Sequence, residues 1–486
     1  MENNTADYSK KWYVMLAVAC GVFLCTLDGS IVNIALNTLV KEMDKPLAVV
    51  EWVVLAYMLT IATLMLSVGR FADMIGKKKI YMVGLAIFTL GSGLCGLAQT
   101  IYWLIAFRVL QAIGAAMVMA LGTAIVTETF PPGERGKALG IIGMTVSIGV
   151  IAGPTIGGII LQSLTWHWLF FVNLPVGVIG LVMVASFVPN LKPEGRQRFD
   201  FAGAGTLFIS MASLLLSLSI IQLNGFSNPL VYFTFALGAL MLAWFILIEL
   251  RAKEPMIDLH LFTSRLFSIN LITGALSFVA SAGTILLMPF YLQNVLGFDP
   301  QKMGLLLIVS PMAIAVMAPL SGALSDRMGS RLITTIGLVI ASLGFLLLTG
   351  INEATSTLEY ILRFLPIGIG MGIFQSPNNS AVMGSAPRER LGVASGLLSL
   401  TRVLGQMAGI AVLGAIYNTV VQRSSAGLVV EGNGQAPVAA QMAGIHAALI
   451  CAVGIMLAAV AFSAWALIQV TKAKKQERVS LLSNIE

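Results

Sequence analysis

Apolar runs of about 17 to 25 residues, the length that crosses a bilayer as a helix, recur fourteen times in this chain. They fall at 12–36, 50–69, 80–98, 101–124, 138–161, 166–188, 201–221, 229–249, 267–288, 303–324, 332–350, 357–377, 392–416 and 445–469. Only helices and closed barrels satisfy every backbone N–H and C=O inside lipid, and runs this long predict helices. The composition agrees: 57% of residues are hydrophobic, 10% are charged, and mean hydropathy is +0.91. The chain therefore reads as an all-α integral membrane protein embedded in a lipid bilayer. The first run is too long for the apolar core of a signal peptide and lacks a small-residue cleavage site, so it counts as a helix.

Lysine and arginine set the orientation. With a cytoplasmic N-terminus, twenty-two of the 29 basic residues fall in inner segments. Outer loops hold only Lys41, Lys45, Lys302 and Arg423, and Arg108, Arg363 and Arg402 lie within spans. Both termini are thus expected in the cytoplasm of a multi-pass cell-membrane (inner-membrane) protein. The net charge of +7 is chiefly this topology signal and not a footprint for nucleic acid. Cys20, Cys25, Cys95 and Cys451 all sit in spans without paired spacing, and His167, His260 and His446 are the only histidines. Neither a disulfide, a metal site nor a cofactor is expected, and no residue set supports bond chemistry or a phosphate-binding loop for ATP. The chain does not read as an enzyme.

Two features carry function. Asp28, in Leu27-Asp28-Gly29-Ser30-Ile31-Val32-Asn33, is the only acid well inside any span. Intramembrane charges cost roughly 2.5 to 3.5 kcal/mol on insertion scales and persist mostly where they carry ions, protons or solutes. The second is a duplication. Gly69-Arg70-Phe71-Ala72-Asp73-Met74-Ile75-Gly76-Lys77 and Gly322-Ala323-Leu324-Ser325-Asp326-Arg327-Met328-Gly329 share Gly, Asp and Gly at i, i+4 and i+7, 253 residues apart. Internal repeats of half-chain period mark secondary transporters built from two related halves. The glycines allow tight crossings and turns, and the Asp can accept from a helix N-terminus or pair with Lys and Arg.

These loops resemble the signature loop of the major facilitator superfamily. Fourteen spans with Asp28 in the first helix are similar to its drug:proton antiporter branch, the EmrB/QacA-like multidrug efflux transporters. Arg108-Val109-Leu110-Gln111-Ala112-Ile113-Gly114-Ala115-Ala116 in the fourth helix resembles a further family element, with Ala112 for the usual Gly. Gly149-Val150-Ile151-Ala152-Gly153-Pro154-Thr155-Ile156-Gly157-Gly158 in the fifth matches the motif associated with antiporters, and Trp166 to Gly177 resembles the opening of helix six. Met74 stands where the loop Asp is usually followed by a basic residue, whereas Arg327 keeps it, which weakens the expectation that the two loops lock equally.

The resemblance implies a major facilitator fold of two pseudo-symmetric six-helix bundles, residues 1–188 and 267–486. Residues 189–266 then hold two extra spans as a peripheral scaffold, the fourteen-span arrangement. Gly149, Gly153, Gly157 and Gly158, with Pro154 beside them, are expected to form one stripe along which a neighbouring helix slides. Gly69, Asp73, Gly76, Lys77, Asp326 and Arg327 complete the expected gating set.

Depth adds a second inference. At about 1.5 Å per residue, Asp28 and Arg108 each lie roughly 11 to 12 Å from the outer face, so Arg108 is the natural counter-charge of Asp28. Desolvation favours the protonated form of a carboxylate and an adjacent guanidinium favours the charged form, so moving such a pair apart swings its affinity for a proton. Asp28 and Arg108 are the proton-coupling candidates. Asn33, Tyr57, Gln111, Tyr291, Gln293, Gln375 and Asn378 are candidates to contact a small-molecule substrate. The function expected is export of bulky hydrophobic or cationic compounds, drugs or toxic organics, in exchange for protons. The alternative is a proton-coupled exporter or facilitator of one polar metabolite, and an accessory efflux component is left open.

Overall fold

The computed structural model describes residues 10–45, 47–50, 52–190, 200–224, 228–252, 259–387, 390–425 and 437–483. Glu51, which lies within the second apolar run (50–69), and the short apolar stretch Leu428 to Val430 lie outside the described residues.

Helices account for nearly all of it. The first six spans are α1 (Lys11–Met43), α2 (Trp52–Ile75), α3 (Lys77–Gly96), α4 (Ile101–Thr129), α5 (Arg135–Ser163) and α6 (Asn173–Phe187). Next come α7 (Phe201–Asn224) and α8 (Pro229–Glu249). A second set follows: α9 (Arg265–Phe290), α10 (Val309–Met328), α11 (Ser330–Leu348), α12 (Thr357–Ser385), α13 (Leu391–Ser425) and α14 (Val438–Ser483). Thirteen of these are long and apolar enough to cross a membrane, and in α7 the apolar stretch so described, Phe201–Ser217, is shorter.

Local chemistry sets the helix ends. Thr100, Ser264 and Ser356 cap α4, α9 and α12 by accepting the N–H of Trp103, Phe267 and Glu359, which satisfies donors the first turn leaves orphaned. The third glycine of each duplicated loop does what a side chain would resist. Gly76 has φ 113° and Gly329 φ 88°, and each turns the chain sharply from one span into the next. Proline shapes the second set. Pro311 has no N–H for the Leu307 carbonyl, and the tenth span is accordingly two helical pieces, Pro300–Leu307 and Val309–Met328. Pro289 precedes a wide helical turn at Tyr291–Val295, while Pro154, Pro319, Pro366 and Pro377 stay inside continuous helices.

Within the first set, α1 packs on α5, α6 and α4, and α3 on α4; within the second, α9 packs on α13 and α14, and α12 on α11 and α10. The sets meet along two seams, α2 with α13 and α5 with α10. α7 leans on α2 and α13, sending Leu207, Met211 and Leu215 into their apolar core, and α8 packs on α7.

Candidate functional site

Asp28 of α1 is completely buried, as are Arg108, Gln111 and Asn173. The Arg108 guanidinium donates to Asp28 Oδ2 at 2.5 Å. Gln111 Nε2 and Asn173 Nδ2 each donate to Asp28 Oδ1 at 2.9 Å. Three elements converge: Arg108 and Gln111 lie one helical turn apart on α4, and Asn173 opens α6. Outside these, Arg108 Nε donates to the Val53 carbonyl at 3.0 Å, Nη1 donates to Gln111 Oε1 at 2.9 Å, and the guanidinium lies 3.9 Å above the Tyr57 ring. Asn173 also donates to Ser92 Oγ at 3.0 Å, and Ser92 donates to the Phe170 carbonyl.

Every oxygen of the carboxylate is thus satisfied, and the pair is neutral as a unit. That is how an apolar bundle tolerates two charges: the desolvation cost is offset only when geometry and extra hydrogen bonds are good. Arg108 Nη2 and Asn173 Oδ1 are buried without hydrogen-bond partners, so the cluster has polar capacity to spare.

The other polar candidates are dispersed. Tyr57 is buried, its ring covered by Arg108 and its hydroxyl donating to the Cys25 carbonyl. Tyr291 is buried near Tyr360 and donates to the Asn352 carbonyl at 2.8 Å. Asn33 and Gln293 are exposed, Gln375 is half-buried beside Gly143 of α5, and Asn378 is buried. Arg363 pairs with Glu359 and donates to the Leu347 carbonyl.

The duplicated loops lie at one end of the bundle, where Lys77, Lys78 and Lys79 also sit, called here the basic end. Each loop carboxylate caps a helix of the opposite set. Asp73 accepts from Gly392 N at 2.9 Å and Val393 N at 3.1 Å, the first turn of α13. Asp326 accepts from Gly136 N at 2.8 Å and Lys137 N at 3.0 Å, the first turn of α5. Negative charge at a helix N-terminus satisfies orphan donors and complements the helix dipole. The glycine four residues before each Asp makes room for this: a Cβ on Gly69 would run into the Gly392 backbone, and one on Gly322 into that of Gly136. Met74 weakens the expectation of equal locking, yet both carboxylates make the same pair of backbone bonds. The difference lies at Lys77, whose ammonium is 2.8 Å from both Asp73 and Glu128, whereas Ser330 stands at the matching place and Arg327 is exposed.

The glycine stripe of α5 also needs one correction. Gly149, Gly153 and Gly157 face α1, where added Cβ atoms would strike Thr26, Ser30 and Ile31. Gly158 points elsewhere, with nothing within 4 Å, because it is one residue, about 100°, round the helix from Gly157. Ser30 Oγ donates across the crossing to the Gly149 carbonyl at 3.1 Å.

Sequence reasoning had assigned no role to Asn173, Gly136 or Gly392. The first left a signal, an amide in an otherwise apolar stretch. The glycines left a second one: Glu134-Arg135-Gly136 and Glu389-Arg390-Leu391-Gly392 each follow a proline, a faint echo of the same repeat.

Residues 18–410 match the family model described as Major Facilitator Superfamily. The riboflavin transporter RibZ of Clostridioides difficile (strain 630) is 36% identical over 84% of this chain and 88% of its own. The multidrug transporter protein MdtP of Bacillus subtilis (strain 168) is 31% identical over 84% of this chain and 76% of its own. Among solved structures, the human organic anion transporter MFSD10 superposes with a TM-score of 0.65 at 16% identity, over 93% of this chain and 99% of that one, a likeness of fold.

Proposed function

This chain belongs to the major facilitator superfamily, and on that premise we propose that it exports bulky, largely apolar organic compounds in exchange for protons, as a member of the fourteen-helix drug:proton antiporter branch. The basic end faces the cytoplasm, following the excess of Lys and Arg. Residues 1–188 and 267–486 are the moving bodies and residues 189–266 a peripheral pair of helices.

The observation that carries this reading is the sealed Asp28 cluster. An intramembrane carboxylate held by Arg108, Gln111 and Asn173 is a group whose protonation must loosen its neighbours, because a neutral acid no longer attracts the guanidinium. Asp28 takes a proton from the outer side and releases it inward. Each charge carried inward by the membrane potential contributes roughly 2.3 kcal/mol per 100 mV. The two cross-set helix caps support a state closed at the cytoplasmic end. All the glycine contacts that join the two sets, among the described residues, lie toward that end, from Gly69 and Gly136 to Gly143 and Gly396. Gly149, Gly153 and Gly157 form the track on which α1 shifts against α5.

Bulky apolar solutes fit this site better than simple cations. Of the two aromatic residues among the substrate candidates, Tyr57 already has its ring face occupied by Arg108, and Tyr291 is buried beside Tyr360.

The test is efflux of a panel of fluorescent organic compounds from proteoliposomes, with an imposed pH gradient switched on and off, in wild type and Asp28→Asn. Gradient-dependent efflux that vanishes in Asp28→Asn supports the reading; gradient-dependent efflux that survives moves the proton path elsewhere. The second reading, export of one polar metabolite, draws on the relative named as a riboflavin transporter. It takes over if riboflavin alone of the panel is moved.

A further inference from the structure

Arg402 is a cation with no ion pair among the described residues. It appears in none of the salt bridges at N to O distances within 4 Å, and its Nε is buried with no hydrogen-bond partner. Asp28 and Arg108 neutralise each other, while Glu359, Arg363, Asp73 and Asp326 sit near helix ends. Arg402 is therefore the surplus charge deep in the bundle, and an unpaired guanidinium at that depth is kept at a cost that calls for a use.

Its direction follows from its neighbours on α13. Ser395 and Ser399 touch α4, the first through the hydroxyl of Thr123 and the second by donating to the Met119 carbonyl. On the other side, Thr401 lies by Gly274 of α9, and Gly405 packs on Ala275 and Phe278 of α9. With 100° per residue, Arg402 falls in the sector between those two faces, one turn beyond Ser399 and so just past the seam that closes the basic end. It faces the space between the two helix sets.

The surroundings suit one kind of ligand group. The guanidinium carbon is 5.4 Å from the Phe278 ring centre, which shields one face and leaves the N–H edge.

We propose that Arg402, backed by Phe278, is an anion-recognition point, and that the exported compound is an amphiphile whose apolar body ends in a negatively charged oxygen group such as a carboxylate. The inference rests on the reading of the chain as an exporter working between its two helix sets and narrows the substrate class. Guanidinium to carboxylate bonds are charge-assisted and directional, which an ammonium ion does not reproduce with the same planar fork. The inside-negative membrane potential also favours the outward movement of an anion.

The experiment measures equilibrium binding of three matched probes to the purified full-length protein in nanodiscs, with empty nanodiscs subtracted. The probes are dansylaminoundecanoate, its methyl ester, and the trimethylammonium analogue. The expected result is a wild type that binds the carboxylate at least about tenfold more tightly than the ester, and the cation most weakly. Arg402→Gln removes the preference with the ester affinity unchanged. Arg402→Lys keeps the charge, loses the fork, and lowers the preference without abolishing it. A wild type without preference for the carboxylate overturns the proposal, as does Arg402→Gln that retains the preference or loses carboxylate and ester alike. Where Arg402→Gln fails to fold, Arg402→Lys decides, since it must lower the preference and an unchanged preference overturns the proposal. Because binding is read without a gradient, carboxylate selectivity without pH-driven exchange would sink the antiport reading alone, and pH-driven exchange without selectivity would sink this one alone.

Discussion

The carboxylate of Asp73 accepts the backbone N–H of Gly392, 319 positions along the chain, at 2.9 Å, so a residue at the end of α2 completes the first turn of α13. Asp326 does the same for Gly136 and α5 at 2.8 Å. Two helix caps, each supplied from the other set of helices, join the two sets at the basic end.

Removing either cap loosens that end. Asp73→Ala or Asp326→Ala each lose a cap worth about 1 kcal/mol, enough to shift the balance of closed and open forms roughly fivefold. The rate at which a maleimide applied from the basic end labels a cysteine placed at Ser399, in a background free of the four native cysteines, should rise in both variants. Unchanged labelling would show that the caps do not hold the seam.

Asp28 and Arg108 should behave as one unit in stability. Arg108→Gln alone leaves a buried carboxylate without its guanidinium and should cost roughly 3 to 5 kcal/mol. Asp28→Asn with Arg108→Gln removes both charges and should recover most of that loss without recovering exchange. Thermal unfolding of the purified variants checks this, and a double variant no more stable than Arg108→Gln would contradict the pairing.

Two glycines of the α5 motif, Gly153 and Gly158, should separate cleanly. Gly153→Val drives a side chain into Ser30 and Ile31 of α1 and should abolish transport and lower the melting temperature. Gly158→Val has open space and should retain both. Equal damage from the two substitutions would remove the stripe as the sliding surface.

Asn173 is expected to matter to coupling although no role was assigned to it from sequence. Asn173→Leu takes one donor from Asp28 Oδ1 and one from Ser92, costing about 1 to 3 kcal/mol. Exchange should fall several-fold while α6 remains folded by circular dichroism. Wild-type exchange would mean that Arg108 and Gln111 suffice to hold the carboxylate.

What the sequence determined by itself was whatever lipid imposes locally. Apolar runs had to become helices, because nothing else satisfies a backbone in hydrocarbon, and both loop copies carried their Gly, Asp and Gly spacing in plain view. Asp28 stood out because a charge in such a run is costly. The choice of partner was decided only by the tertiary structure. Arg108 could be matched to Asp28 by depth, but Asn173 enters from a third helix, and Gly392 and Gly136 receive their caps from loops more than 180 residues away. Facing direction was equally hidden: Gly157 and Gly158 are neighbours in the chain, yet one meets α1 and the other meets nothing. A period of 3.6 residues tells which positions share a face, and only the packing of helix on helix tells what that face meets.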